Sequence, residues 1–136
     1  MKLEIVVDGN GLPLGLEAAA ADVSEPQLLM PALQDVPVEV PPGTPVIADK
    51  AYDSDQLRDA LEQAGYTPLF PHRRNRVKPS RNDGRRLRRY GHRWRVERTN
   101  AWLHNYRGLA VRWAYYSSHY VAMAYLSFIH MALLRF

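Results

Sequence analysis

The sequence contains no cysteine, which excludes a disulfide framework and a thiolate metal site and fits a reducing compartment. It also lacks a long hydrophobic run. The longest run, 120–134, has 15 residues, includes Ser127 and His130, and is too short to cross a bilayer. The first residues have no extended apolar core of the kind found in signal peptides. The sequence therefore predicts neither a disulfide-rich secreted protein nor a membrane-spanning one.

Acidic side chains are almost missing from one part of the chain. Residues 72–112 contain 14 lysines and arginines but only Asp83 and Glu97, a net charge of +12. Residues 1–71 contain 12 acidic and three basic side chains, a net charge of −9. A basic block can be a solvated face or a disordered tail, but here tryptophans alternate with the arginines, which argues against disorder. Such a block is typical of proteins that bind a phosphate backbone.

The length of 136 residues and the apolar fraction of 46% indicate one folded domain with a core. Turn residues Asp8-Gly-Asn-Gly11 follow a short β-branched run, Leu3 to Val7, and precede Leu12 to Leu16, an order that predicts a β-hairpin. The elements predicted after it are a helix at 24–33, a strand at 46–49, a helix at 54–64, a strand at 66–70, a basic loop at 72–90, a helix at 90–106 and a buried helix at 117–134. This order is typical of an α/β protein, and the pattern alone leaves several α/β folds open.

The predicted helix after residue 90 carries an unusual set of side chains on one face. Tyr90, Arg93, Glu97 and His104 fall within an arc of about 60° at 100° per residue. Glu97 is then a single carboxylate on a strongly cationic helix. It is either an ion-pair partner of Arg93, worth only ~0.2–0.5 kcal/mol, or a ligand for a cation beside a polyanion.

Tyr-x2-Arg-x3-Glu, followed seven residues later by a basic residue, resembles the signature of the DDE-type insertion-sequence transposases. That family has lysine at the last position, where this chain has His104. Upstream, Asp49-Lys50-Ala51-Tyr52 resembles the family motif Asp-x-Gly/Ala-Tyr/Phe. The segment 68–76 between the motifs is similar to the short strand and basic loop of the same enzymes. The resemblance covers the chain from about Val6 to Leu134.

The resemblance implies a ribonuclease-H-like mixed sheet with flanking helices, and it makes Asp49 and Glu97 the second and third catalytic acids. Both would be ligands of Mg²⁺ or Mn²⁺, of which the complete enzyme is expected to hold two. For Asp49 the alternative is a turn cap before Tyr52. The expected partner is DNA, in the bacterial cytoplasm at the nucleoid. Its expected contacts are Tyr90, Arg93, His104, Arg73, Arg74 and Arg76.

The first acid of the family lies on the first strand, upstream of a segment resembling Val7 to Leu14. Asp8 is therefore expected to be a turn residue, and the chain is expected to be a partial domain without that strand. Unpaired sheet edges would favour association, either of identical chains or with the product of an upstream reading frame. The chain would then bind DNA but cleave it poorly, as half of a split enzyme or as an inactive remnant.

Two hypotheses from other classes stay open at this point. The chain is a DNA-binding module without chemistry, or it is an unrelated small nuclease that uses Asp8, Asp49 and Glu97 as a complete set. Metal binding separates the first from a transposase, and convergence of the three carboxylates tests the second.

Overall fold

The computed structural model describes residues 1–135, which form an α/β arrangement with two small sheets. The first sheet is an antiparallel hairpin of β1 (Lys2–Val7) and β2 (Pro13–Ala19), with Ile5 opposite Leu16. Its turn depends on Gly11, whose φ of 80° lies in the left-handed region that favours glycine. The predicted hairpin is thus confirmed.

The second sheet consists of two short parallel strands, β3 (Pro45–Ile47) and β4 (Thr67–Leu69). The connection contains a 3-10 turn, Lys50–Tyr52, and helix α2, Asp55–Gln63. Among the residues described, no ladder joins β1 to β3, so the predicted single mixed sheet is present as two separate pairs. The mixed α/β class is confirmed, while the ribonuclease-H-like topology stays a prediction.

The remaining helices flank these sheets. They are α1 (Glu25–Gln34), α3 (Gly84–Leu87), α4 (Trp94–Leu103), α5 (Arg107–Ala110) and α6 (Ser117–Leu133), with a 3-10 segment at Arg88–Arg93. The prediction of a basic loop through residue 90 was therefore partly wrong. Asp83 caps α3 by accepting a 2.9 Å hydrogen bond from the Arg85 amide, and α3 continues through the 3-10 segment into α4. Tyr90 and Arg93 consequently lie on a 3-10 segment rather than on the α-helix that carries Glu97.

Two hydrophobic clusters lie on opposite faces of the hairpin. The first cluster joins α1, α2 and the end of β4, and its buried members are Leu29, Leu33, Tyr52, Leu57, Leu61 and Phe70. The second cluster joins β2, α4 and α6, and its buried members are Leu16, Leu103, Ala124, Phe128 and Met131. Val6 packs on the first cluster, whereas Leu3 and Ile5 pack on the second, because alternate side chains of a strand point to opposite faces. Helices therefore cover both sides of the hairpin.

Helix α6 is not packed inside as predicted. Phe128 and Met131 are buried, but Leu126 is 65% exposed, Ile129 56% and Leu133 67%. A helix that is apolar all round is usually buried, but here the second cluster contacts only one side of it. None of the helices in the described residues has the length and apolar character to cross a membrane.

Candidate active site

Arg93 joins the two carboxylates that the sequence predicts to be catalytic. Its Nη1 donates a hydrogen bond of 3.2 Å to Oδ2 of Asp49, which is 44 residues away in the chain. Its Nε donates one of 3.1 Å to Oε1 of Glu97. The structure thus brings Asp49, from the segment after β3, and Glu97, from the first turn of α4, to one guanidinium group.

Asp49 is positioned by the end of β3 and the 3-10 turn that follows it. Its backbone carbonyl accepts a 3.0 Å hydrogen bond from the Tyr52 amide, but its side chain makes no capping bond. The carboxylate is 41% exposed, and that of Glu97 is 56% exposed. The turn-cap alternative for Asp49 therefore does not describe its carboxylate, which points to Arg93 and to solvent.

Tyr90 fixes the arginine. Its hydroxyl oxygen accepts a 2.8 Å hydrogen bond from Arg93 Nη1, and the guanidinium carbon lies 5.9 Å from the ring centroid. The hydrogen bonds that Arg93 donates, first to Tyr90 and second to Glu97, raise the pKa of Arg93. The ion pair between Arg93 and Glu97 that the sequence allowed does form, and Asp49 shares it.

The Asp49 turn is also tied to the hairpin, through a residue that the sequence analysis missed. The Tyr52 hydroxyl donates to both carboxylate oxygens of Glu4 on β1, at 2.8 and 2.9 Å. Burial raises the pKa of Glu4 to about 7, and the Tyr52 hydrogen bond offsets only part of that effect. A lone acid in a β-branched run was the available signal, since such a strand residue needs a partner when it is covered.

Asp8 does not take part in this site. Its Oδ1 accepts 2.8 Å hydrogen bonds from the amides of Asn10 and Leu12, which is the chemistry of a turn residue. Within residues 1–135, no three His, Cys, Asp or Glu side chains lie close enough together to hold a metal ion. The hypothesis of a small nuclease with Asp8, Asp49 and Glu97 as a complete set was therefore wrong.

Two carboxylates are nevertheless a reasonable partial site for a hard cation. Mg²⁺ usually keeps several waters and binds through one or two carboxylates together with substrate phosphates. Asp49 and Glu97 are exposed, supply only oxygen atoms and already share one cationic group. Their chemistry fits Mg²⁺ or Mn²⁺.

Four residues beyond Asp49 lies a second arginine–carboxylate cluster, which the sequence analysis also missed. The Asp53 side chain is 2% exposed and accepts hydrogen bonds from Arg58 Nη2 at 3.0 Å and from the Arg73 amide at 2.8 Å. Burial alone would raise the pKa of Asp53, but these hydrogen bonds outweigh it and hold the pKa at about 2. The signal was Arg58, a basic residue among Leu57 and Leu61 on the apolar side of α2.

His72 links this buried cluster to the basic loop. Its Nε2 accepts a 3.0 Å hydrogen bond from the Arg81 amide, so Nδ1 carries the proton of the neutral ring and donates to Asp53 at 2.9 Å. The first residues of the loop are therefore anchored to the segment that follows Asp49.

Two of the predicted DNA-binding arginines are occupied by the protein itself. Arg73 donates to the Lys50 and Ala51 carbonyls at 3.2 and 2.6 Å. Arg76 donates to Asp55 Oδ1 at 3.1 Å and to a loop carbonyl. Arg74, by contrast, is exposed and has no hydrogen-bond or ion-pair partner among residues 1–135.

His104 lies two helical turns beyond Glu97, at the end of α4. It is exposed, and its Nδ1 lies 2.7 Å from the Asn100 carbonyl oxygen. It contacts neither Asp49 nor Glu97, so its predicted role in DNA binding stays a prediction.

A mixed α/β chain that presents paired carboxylates beside an arginine-rich segment has the features expected of a metal-dependent enzyme acting on nucleic acid. The family described as "Transposase DDE domain" matches residues 1–132, nearly the whole chain. The chain therefore belongs to the DDE transposase family.

Comparison with characterised sequences adds one relative. The chain is 37% identical over 118 residues to a Burkholderia cepacia protein described as "Putative transposase for insertion sequence element IS402". The match covers 82% of this chain and 52% of the relative, so the chain spans about half of that protein's length. No solved structure matches the chain.

Proposed function

We propose that this chain is the part of an insertion-sequence transposase that carries the second and third catalytic acids, Asp49 and Glu97. In the complete enzyme it would take part in DNA cleavage and strand transfer. The observation that carries the proposal is the contact of one guanidinium, that of Arg93, with both carboxylates. The fold thus brings two acids from distant segments of the chain to one partly exposed cation.

Each residue of the site has a separate role in this proposal. Asp49 and Glu97 would hold Mg²⁺ or Mn²⁺, which supplies activation of an oxygen nucleophile and stabilisation of the leaving oxygen. Arg93 keeps the carboxylates near each other, and Tyr90 keeps Arg93 in place. Tyr52 binds the Asp49 turn to β1 and so fixes where the acid lies.

The DNA backbone would lie along the basic segment beside these acids. Arg74 is exposed for a phosphate contact. Arg73 and Arg76 would contribute mainly by shaping the loop, because their guanidinium groups are held by the protein. His104 would extend the contact along α4.

The separation of the two sheets supports a ribonuclease-H-like domain that lacks a central strand. Within residues 1–135, β1 pairs with β2 and β3 pairs with β4, and no further strand pairs with either sheet, so β1 and β3 each keep one unpaired edge. A strand that paired with both of these edges would join the two pairs into one mixed sheet. We propose that such a strand, from an upstream segment or another chain, brings the first acid, and that the 136-residue chain alone does not cleave DNA.

Metal binding tests this proposal without requiring activity. Calorimetric titration of the 136-residue chain with Mn²⁺ is expected to show binding that weakens at least tenfold in Asp49→Asn and in Glu97→Gln. Asp59→Asn is the matched control, because Asp59 is an exposed acid on α2 that pairs with Arg81 and with no other side chain in residues 1–135. Its affinity should equal that of the unsubstituted chain.

If neither site variant changes Mn²⁺ affinity, the metal-binding proposal fails. The remaining alternative is then a DNA-binding module without chemistry, which the convergence of only two carboxylates in residues 1–135 would favour.

A further inference from the structure

A hollow of about 460 Å³ lies where β3 and β4 begin, beneath helix α3 and the 3-10 segment. We call it the arginine pocket. Its lining residues are Gly43, Pro45, Thr67, Leu69, Arg85, Arg86 and Arg89. Three guanidinium-bearing residues and no acidic residue line it. The pocket thus concentrates positive charge in a concave site.

The arginines of this pocket differ from the other arginines near the candidate active site. Within residues 1–135, the guanidinium groups of Arg85 and Arg89 make no hydrogen bond or ion pair, and Arg86 lies 3.8 Å from the exposed Asp83 carboxylate. Arg58, Arg76 and Arg93 each contact at least one carboxylate. Arg85 and Arg89 therefore keep their charge without a carboxylate partner, whereas Arg58, Arg76 and Arg93 do not.

This arrangement costs some stability in the absence of a ligand. Arg85 and Arg89 are four residues apart, and like charges at this spacing on a helical segment repel by ~0.2–0.5 kcal/mol. The opposite wall, formed by Gly43, Pro45, Thr67 and Leu69, carries no ionised side chain that would offset the arginines. Charge of one sign in a cleft focuses the electric field on whatever enters it. The ligand that matches is an anion with several acceptor oxygens.

The position of the pocket relative to Asp49 indicates which anion binds there. The segment that supplies its arginines continues through Tyr90 to Arg93, which contacts Asp49. At about 3.3 Å per residue, the path from Pro45 to Asp49 covers roughly 13 Å. One DNA strand rises 3.4 Å per nucleotide, so roughly four nucleotides would reach from the pocket to the carboxylates.

We propose that the arginine pocket binds the phosphodiester backbone of DNA and delivers the same strand to Asp49 and Glu97. The inference rests on the proposed function and adds a contact site that lies outside the two sequence motifs. Guanidinium groups suit the task because they donate in pairs to phosphate oxygens and remain charged.

The salt dependence of DNA binding tests the pocket. The slope of log K against log salt is negative, and each lost phosphate contact makes it shallower by about 0.9, so Arg85→Gln/Arg89→Gln should make it shallower by about two. The loss of affinity between 50 and 200 mM salt should then be about tenfold smaller than for the unsubstituted chain. The matched control is Lys2→Gln/Arg135→Gln, which removes the same charge from positions outside the basic block 72–112 and should leave the slope unchanged.

The outcomes separate the possibilities. If the slope changes equally in both double variants, the net charge of the chain attracts DNA diffusely. If the slope changes in neither, the pocket does not contact DNA. Both results overturn the inference. Inorganic phosphate that saturates the pocket while the DNA slope stays unchanged would mean a small-anion site instead. If the unsubstituted chain binds no DNA at any salt concentration, the proposed function fails as well.

Because the chain has no cysteine, a single introduced thiol can report proximity directly. Gly84 adjoins Arg85, and a Cβ atom added there meets no atom within 4 Å. Gly84→Cys carrying a photoactivated crosslinker is expected to attach to bound DNA, whereas Gln27→Cys, an exposed position on α1, is not. Crosslinking from residue 27 but not from residue 84 would contradict the proposed path of the strand.

Discussion

Asp49 and Asp53 stand at either side of the same 3-10 turn, Lys50–Tyr52, yet their surroundings differ in almost every respect. The Asp53 side chain is 2% exposed, and its carboxylate is bound by Arg58, His72 and the Arg73 amide. The Asp49 side chain is 41% exposed, and within residues 1–135 its carboxylate receives one hydrogen bond, from Arg93. Both are aspartates facing arginines, so the residue types alone do not distinguish them.

The difference shows that a carboxylate serves the architecture when it is buried and its acceptor atoms are all hydrogen-bonded by the protein. A carboxylate with exposed, free acceptor atoms is available to bind a ligand. Donors from the protein already bind the acceptor atoms of Asp53. A cation could bind there only by displacing one of these donors, which would leave a buried charge without its partner. Asp49 and Glu97 keep acceptor positions that face solvent, and a partly exposed pair of this kind contributes only ~0–1 kcal/mol to folding. A group that matters little for stability can be used for binding.

The largest expected effect is on the buried cluster. Asp53→Asn leaves Arg58, which is 1% exposed, as a buried charge without its counterion. We expect the free energy of unfolding to fall by ~3–5 kcal/mol. Urea denaturation followed by circular dichroism measures this change.

Asp49→Asn is the matched control for that comparison, since it makes the same chemical change four residues away. It should change the free energy of unfolding by less than ~1 kcal/mol. A loss below 1 kcal/mol in Asp53→Asn, or equal losses in both variants, would remove the distinction between the two clusters.

The next largest effect is expected at low pH, on the acid limb of the curve that plots the free energy of unfolding against pH. The pKa of Asp53 is about 2 in the folded protein and lies below its value in the unfolded chain. Its contribution is therefore present above about pH 4 and is lost as the pH falls through 2, a change of roughly 2–3 kcal/mol. Denaturation between pH 2 and pH 6 should show this loss, and Asp49→Asn should show the same acid limb.

Glu4 acts in the opposite direction and has to be separated from Asp53. Because its folded-state pKa is raised to about 7, its protonated form favours the folded state below about pH 4.5, and that contribution disappears as the pH rises through 7. Since Glu4 is only partly buried, water screens the effect to roughly 1 kcal/mol. Glu4→Gln should flatten the profile above pH 5 and leave the acid limb unchanged; a changed acid limb would mean that Asp53 does not cause it.

The sequence predicted the local elements and the site partners better than it predicted the sheet. The hairpin followed from Asp8 to Gly11, and the meeting of Asp49 with Glu97 followed from two spaced motifs. The hairpin depends on local turn chemistry, and the pairing of the two acids depends on a family resemblance that indicates which segments face each other. The sequence predicted a mixed sheet with unpaired edges where the first strand is missing, but it did not specify that two separate strand pairs would result.

Long-range contacts explain the other differences. Arg73 and Arg76 have the composition of DNA-binding residues, but partners from the 50–55 segment occupy them. Because α6 is apolar on most sides, the sequence predicted that it packs inside, whereas within residues 1–135 Leu126, Ile129 and Leu133 on α6 are exposed. Helical periodicity shows which residues share a face, and the rest of the chain determines whether that face is covered.

The central claim is that Asp49 and Glu97 form one cation site. Paramagnetic broadening by Mn²⁺, measured in the amide NMR spectrum of the unsubstituted chain, tests it most directly. At substoichiometric Mn²⁺, the amides around Asp49 and those around Glu97 should broaden together and to a similar degree, while those of α2 stay sharp. Broadening at only one of the two segments, or strongest broadening at the acids of α2, would contradict the claim.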